Sequence, residues 1–374
     1  MTEVTGLMLD GYELLVPFRG GQERAVEISI ESAFFPTTRY YGSKKRLLGW
    51  MLTTINGLEF DTVLDVFGGT STVSLLFKYM GKKVTYNDIL KSSSLQAVAL
   101  LSNGSADNIL HLVEVFCDKV VPCQGFIAEN FEGVFYYSEE NEWLDGALSY
   151  LHSNFTGLEF ASIYYCLQQA CIQKRPFNLF HRKNLYLREN NNKKTKFGNW
   201  ATWERSFKEL MLRAALELKK TRYASVFEPE VLPCTDAMRL RPGYDLVYLD
   251  PPYIPVNRQD VSYLERYHFL EGMASPETWG GKIDWSKPSR CFLKTDEIKT
   301  WNTKSTFRNN LFELISIHKE SIVVLSYVDG AHPPLYEIEA FFREKFRLVE
   351  VHKKPISHAL SSKIKIELLI IGKP

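Results

Sequence analysis

The chain has 374 residues, with 45 Lys and Arg against 44 Asp and Glu and 45% hydrophobic residues. That length allows one large domain or two ordinary ones with a sizeable core, and the net charge of +1 excludes a generally polycationic protein. No apolar run is long enough to span a bilayer, Met1 to Asp10 lacks the pattern of a signal peptide, and the six cysteines show neither C-x-x-C nor zinc-finger spacing, so a cytoplasmic protein with reduced thiols is expected.

Before residue 36 only Glu27–Ile30 alternates like a short strand. A helix is predicted over Lys44–Ile55, with Leu47, Leu48, Met51 and Leu52 at helical spacing. Thr62–Phe67 is an apolar run ended by Gly68-Gly69, which reads as a buried strand entering a tight turn. A helix over Thr72–Met80 and a second strand over Lys83–Asp88 complete a βαβ unit with parallel strands. Further strands are predicted at Tyr244–Leu249, Ser321–Tyr327, Phe346–Val351 and Lys365–Ile371, the last two as a closing antiparallel hairpin. Strands alternating with helices predict a doubly wound, Rossmann-like α/β sheet.

The stretch from about residue 100 to 225 has a different character. It is mostly helical, as in Leu144–Leu151, Ala161–Gln173 and Trp203–Lys220, and it carries opposed charge blocks. Nine acids stand against one lysine between Leu101 and Asp145, and eight Lys and Arg against one Glu between Lys174 and Lys196. It reads as an insert between sheet strands.

Asp250-Pro251-Pro252-Tyr253 directly follows the apolar run Leu246–Leu249, and so stands at a strand's carboxyl end, where open α/β sheets bind ligands. Asp250 and a backbone carbonyl of the Pro-Pro turn can each accept a hydrogen bond from an exocyclic N–H. The prolines fix the turn and supply no competing donor, and Tyr253 offers a flat face to a base. The bland alternative is a proline turn with a surface tyrosine; the place after a buried strand favours the chemical reading.

Asp65-Val66-Phe67-Gly68-Gly69-Thr70-Ser71 forms a glycine turn at the first strand's end, which lets a cofactor approach the backbone, and the helix start behind it favours an anionic group. Taken alone, it is equally an ordinary β–α turn. It is not the G-x-G-x-x-G of dinucleotide binding, which argues against a nicotinamide dehydrogenase. Asp88, at the end of the second strand, suits a ribose diol or a helix cap. Arg39–Arg46, with Tyr40 and Lys44, puts cations at a helix start against the dipole preference, so either an anionic partner or a solvated basic turn is expected there. In Lys174–Arg188, the residues Lys174, Arg175, Asn178, His181, Arg182, Lys183 and Arg188 interleave with aromatics. With Lys193, Lys194 and Lys196 in the Asn-rich tract beyond, they suit phosphate contacts and base-edge reading rather than a merely solvated face.

Together these residues resemble the Dam-like family of adenine-N6 DNA methyltransferases. Tyr40–Lys44 is similar to its N-terminal cofactor motif, Asp65–Ser71 to its glycine motif, Asp250–Tyr253 to its D-P-P-Y, and Asp236, in Cys234-Thr235-Asp236-Ala237, to its acidic position at the cofactor adenine. The likeness runs from about Arg39 to the end and is much weaker within the insert; Ser71 stands where the family usually carries a second glycine. The resemblance implies transfer of a methyl group from S-adenosylmethionine to N6 of an adenine extruded from double-stranded DNA, without a metal, at Asp250, Pro251, Pro252 and Tyr253. Tyr40, Lys44, Asp65, Phe67, Gly68, Gly69, Thr70, Ser71, Asp88 and Asp236 would hold the cofactor. It also implies a split catalytic domain (36–105 and 226–374) around a target-recognition insert (106–225), and a cognate restriction endonuclease acting separately. Tyr263–Glu271, with Arg266, Tyr267 and His268, is expected to close over DNA. Methylation of RNA, and an inert DNA-binding subunit, remain open as alternatives.

Overall fold

The computed structural model describes residues 33–37, 43–189, 200–259, 262–294, 300–358 and 361–374. Lys44–Leu47, a turn of 3₁₀ helix, runs into α1 (Leu48–Ile55), followed by β1 (Thr62–Asp65), α2 (Thr72–Tyr79), β2 (Lys83–Tyr86) and α3 (Lys91–Leu101). Seven helices come next: α4 (Ile109–Lys119), α5 (Phe126–Asn130), α6 (Ser138–Asn154), α7 (Gly157–Gln173), α8 (Tyr186–Glu189), α9 (Trp200–Trp203) and α10 (Phe207–Thr221). The sheet resumes with β3 (Glu230–Val231) and β4 (Leu246–Leu249), then β5 (Ile254–Pro255), α11 (Tyr263–Ala274) and α12 (Pro276–Lys282). The helix Lys304–Ile317, β6 (Ile322–Val328), β7 (Ala331–His332), the helix Leu335–Lys345, β8 (Leu348–His358) and β9 (Ser361–Lys373) complete the order.

Seven strands form one sheet in the order β3-β2-β1-β4-β6-β9-β8. The first five are mutually parallel, and β9 runs antiparallel to both β6 and β8. All of Leu246–Leu249 is buried, as expected of a parallel strand covered on both faces. Alternation divides the strands between two cores. Val63, Tyr86, Tyr248 and Val324 face α1 and α2, whereas Leu64, Val247, Leu249 and Val323 face the helices Lys304–Ile317 and Leu335–Lys345. From β1 the sheet grows one way to β2 and the other way to β4. The carboxyl ends of β1 and β4 therefore flank the point where strand order reverses, and the glycine turn and D-P-P-Y meet there.

The helices α4 to α7 and α10 share a third core with α3, α11 and α12. At its centre lies α7, buried from Ala161 through Ile172. The amphipathic α10 buries Leu210, Met211, Ala214 and Leu218, and it starts at Phe207, where the Ser206 side chain accepts from the Glu209 amide (3.1 Å). Trp203, expected at the start of that helix, belongs to the separate turn α9. The expected strand at Glu27–Ile30 lies outside the described residues. Among the described residues no helix is long and apolar enough to cross a membrane, and all six cysteines are free thiols.

Candidate active site

The glycine turn is held by its neighbours' backbone. The Gly68 amide donates to the Asn87 carbonyl (2.9 Å) and the Ser71 amide to the Gly68 carbonyl (2.8 Å). A Cβ on Gly68 would stand 2.1 Å from a ring carbon of Tyr86, so only glycine fits. Gly69 sits at φ +49 and Ser71 at φ +61, both left-handed. That conformation explains why glycine is the natural residue where this chain has Ser71. The serine adopts it at a cost of about 1 kcal/mol, is fully buried, and leaves its Oγ without a partner. Ser71 thus supports the turn from behind rather than lining the cleft.

One cleft extends from this turn to D-P-P-Y. Of the expected residues, Lys44, Asp65, Phe67, Gly68, Gly69, Thr70, Asp88, Asp236, Asp250 and Pro252 line it. Pro251 is buried and does not line it, and Tyr40 lies outside the described residues. Lys44 and Asp250 form an ion pair (2.9 Å), and Lys44 Nζ also donates to the Tyr253 hydroxyl (2.7 Å). That hydroxyl in turn donates to Asp250 Oδ1 and lies 3.2 Å from Ser326 Oγ on β6. Burial and the neighbouring Asp250 carboxylate push the Tyr253 phenol well above its ordinary pKa, so it stays a donor. Lys44 belongs to the helix start ahead of β1, Asp250 and Tyr253 to the turn that follows β4, and Ser326 to β6, so Lys44 and Tyr253 hold the carboxylate directly and Ser326 meets the tyrosine hydroxyl.

Beyond that clamp the cleft wall is acidic. Asp65 is 1% exposed; its Oδ2 accepts from Ser74 Oγ (2.5 Å), and its Oδ1 has no partner. Burial, opposed by Ser74 and reinforced by Asp250 and Asp88, raises its pKa to about 7. Asp88 accepts from the Gly69 amide (2.9 Å) and the Leu90 amide (2.8 Å), and burial raises its pKa to about 6. Asp236 Oδ1 accepts from the Met238 amide (3.1 Å) and from the Trp301 indole (3.3 Å). Trp301 meets Phe67 edge-on, with ring centroids 4.9 Å apart, and lines the cleft with Asn302. Sequence reasoning missed Trp301, which sits in no motif. It also missed Asn87, whose amide ties the carbonyls of Val66 and Thr235 together (3.0 Å each).

The basic stretch requires a correction. Lys174 pairs with Glu140 (2.8 Å), and Arg188 makes a bidentate contact with the same carboxylate (2.7 and 2.8 Å). Arg175 is 1% exposed and donates to the carbonyls of Phe135, Leu179 and Arg182. These three cations stabilise the interior and are not available to phosphate, because Glu140 of the acidic block takes two of them and backbone carbonyls take Arg175. Arg182 and Lys183 are exposed, and Asn178 and His181 half-buried, while Lys193, Lys194 and Lys196 lie outside the described residues. Likewise Tyr267 and His268 point into the core instead of closing over DNA. His268 Nε2 meets the Phe180 carbonyl (3.1 Å), and burial depresses its pKa to about 3.

A doubly wound sheet carries many chemistries, so the site must decide between them. An acid-rich cleft with no dinucleotide fingerprint, ending on a clamped Asp-Pro-Pro-Tyr, defines a methyltransferase that acts on an amino group. The D12 class of N6 adenine-specific DNA methyltransferases matches residues 40–278, and the chain belongs to that family: it is an enzyme that methylates adenine N6 in DNA. A curated relative, the Type II methyltransferase M2.HphI of Haemophilus parahaemolyticus, is 26% identical over 315 residues, covering 78% of this chain and 90% of the relative.

Proposed function

We propose that the methyl donor is S-adenosylmethionine and that the acceptor is an adenine extruded from a specific site in cytoplasmic double-stranded DNA. The Type II name of the relative supports a role beside a separately acting restriction endonuclease. The observation that carries the donor assignment is the unpartnered, buried Asp65 Oδ1 on the cleft wall, with Asp88 and Asp236 nearby. Such a donor-poor, anionic wall suits a ligand bearing an ammonium, a ribose diol and an exocyclic amine. Asp65 would take the ammonium, Asp88 the ribose hydroxyls, and Asp236 with Phe67 and Trp301 the adenine. When bound, this group supplies a sulfonium-activated methyl.

The chain's own residues position the acceptor. Adenine N6 is paired and stacked in a duplex, so extrusion costs a few kcal/mol. Asp250 Oδ and the Pro251 carbonyl would accept from the N6 hydrogens and draw the nitrogen lone pair out of conjugation with the ring. Lys44 and the Tyr253 hydroxyl keep the carboxylate aimed, and the Tyr253 ring offers a stacking face. Orientation of this kind does the work of lowering the barrier. We assign residues 36–105 and 226–374 to catalysis and 106–225 to target reading, with Arg182 and Lys183 as its exposed cations.

The test is incubation with tritiated S-adenosylmethionine and mixed-sequence duplex DNA, followed by digestion. Label in N6-methyladenine is expected. Label only on RNA, or none despite duplex containing every short sequence, would overturn the duplex assignment.

A further inference from the structure

Beyond the family match, which ends at residue 278, the chain makes a small hairpin. Ile283 and Phe292 bridge antiparallel, the Asp284 amide donates to the Cys291 carbonyl (2.8 Å), and the Leu293 amide donates to the Lys282 carbonyl (2.8 Å). From Lys282 to Lys294 it carries Lys282, Lys287, Arg290 and Lys294 against a single acid, Asp284, which accepts from the Ser286 amide (3.1 Å) and hydroxyl (2.6 Å). At its tip Trp285 is 48% exposed, an unusual place for the largest side chain. Arg290, in the left-handed region at φ +55, donates to the Trp285 carbonyl (3.1 Å) and sets its guanidinium 5.2 Å from the indole centroid. The tip is therefore a preformed aromatic–cation plate, braced at some backbone cost.

The hairpin's root fixes where that plate lies. Ile283 and Phe292 are buried in the helical core, and the Phe292 ring is 5.8 Å from His268, whose Nε2 meets the Phe180 carbonyl. Phe180 leads directly to the exposed Arg182 and Lys183. The hairpin's root thus packs close to the residue from which the exposed part of the basic stretch departs, and the chain continues from it to Trp301 and Asn302 on the cleft wall.

We propose that the hairpin Lys282–Leu293 is a second DNA-contacting element, in which Lys282 and Lys287 hold backbone phosphates and Trp285 packs against the duplex. This rests on the reading that the acceptor is duplex DNA. Three of the cations expected at the DNA serve the core instead, whereas Lys282 and Lys287 of the hairpin are exposed. A merely solvated loop would carry mixed signs and would not brace an exposed tryptophan.

The test is anisotropy titration of a fluorescent mixed-sequence duplex over a range of salt concentrations. The Lys282→Ala/Lys287→Ala variant, altered only at exposed side chains, should bind about tenfold more weakly at low salt, with a log–log salt slope shallower by about 2. Trp285→Ala should lose about fivefold or more with an unchanged slope, and Trp285→Phe should recover most of it. S-adenosylmethionine affinity should stay at the wild-type value in all three. Wild-type affinity and slope in the lysine variant would overturn the hairpin's role alone. Failure of the wild-type protein to bind duplex at all would overturn the reading beneath it.

Discussion

The cleft at the sheet's carboxyl edge and the basic stretch of the helical layer carry their charges differently. In the cleft, Asp65, Asp88, Asp236 and Asp250 stand on a wall open to a ligand, with Lys44 as the cation among them. In the stretch, Lys174, Arg175 and Arg188 turn inward and are consumed by Glu140 and backbone carbonyls. A strand end in a parallel sheet has a fixed direction, so a polar residue placed there faces the ligand crevice. A charged run on a helix or loop has no such constraint, and its direction depends on what folds opposite it.

The contrast can be broken most severely at Glu140. Burial alone would raise its pKa, but Arg188 and Lys174 hold the carboxyl below its ordinary value. Glu140→Ala would strand two buried cations and should cost about 3–5 kcal/mol in chemical denaturation. Because the folded-state pKa is depressed, Glu140's contribution is present at neutral pH and fades as pH falls through the acid range. A loss below about 1 kcal/mol, typical of surface pairs, would make this an ordinary exposed contact. At the outward-facing cations, Arg182→Ala with Lys183→Ala should weaken duplex binding about tenfold and flatten its salt dependence. An unchanged slope would remove the rest of the stretch from the interface.

A smaller effect sharpens the picture of the acidic wall. The carboxyls of Asp65 and Asp88 have pKa values raised to about 7 and about 6, so near neutral pH they are partly protonated without a ligand. A cationic ligand favours the ionised forms, so its binding should release protons and tighten as pH rises from 6 to 8. Calorimetry in buffers of differing ionisation enthalpy reads that release, and proton uptake would contradict it. Smallest is Ser71→Gly, which relieves the left-handed backbone and should stabilise the protein by up to about 1 kcal/mol. Destabilisation would mean that the buried hydroxyl has a role of its own.

The same contrast accounts for what was legible in the sequence. The βαβ unit, the C-terminal hairpin, the glycine turn and D-P-P-Y could be read because apolar runs of strand length end abruptly in turn residues. The resemblance gives Lys44 a place near the cofactor, and its partners are Asp250 and Tyr253, a contact between two segments about 200 residues apart that no local pattern encodes. Trp301 carries no signal beyond being a tryptophan. The cations at 174 and 188 meet an acidic partner in a different block and Arg175 meets backbone carbonyls, and composition records neither pairing nor direction.

The central claim is that the clamped Asp250 holds the acceptor amino group. Single-turnover methyl transfer by Asp250→Ala, at saturating S-adenosylmethionine and duplex, measures it directly. Transfer should fall by at least about a hundredfold, as when one preorganised hydrogen-bonding group is removed from an active site, while the affinities for S-adenosylmethionine and duplex stay within a few-fold of wild type. A transfer rate close to wild type with both affinities intact would contradict the claim.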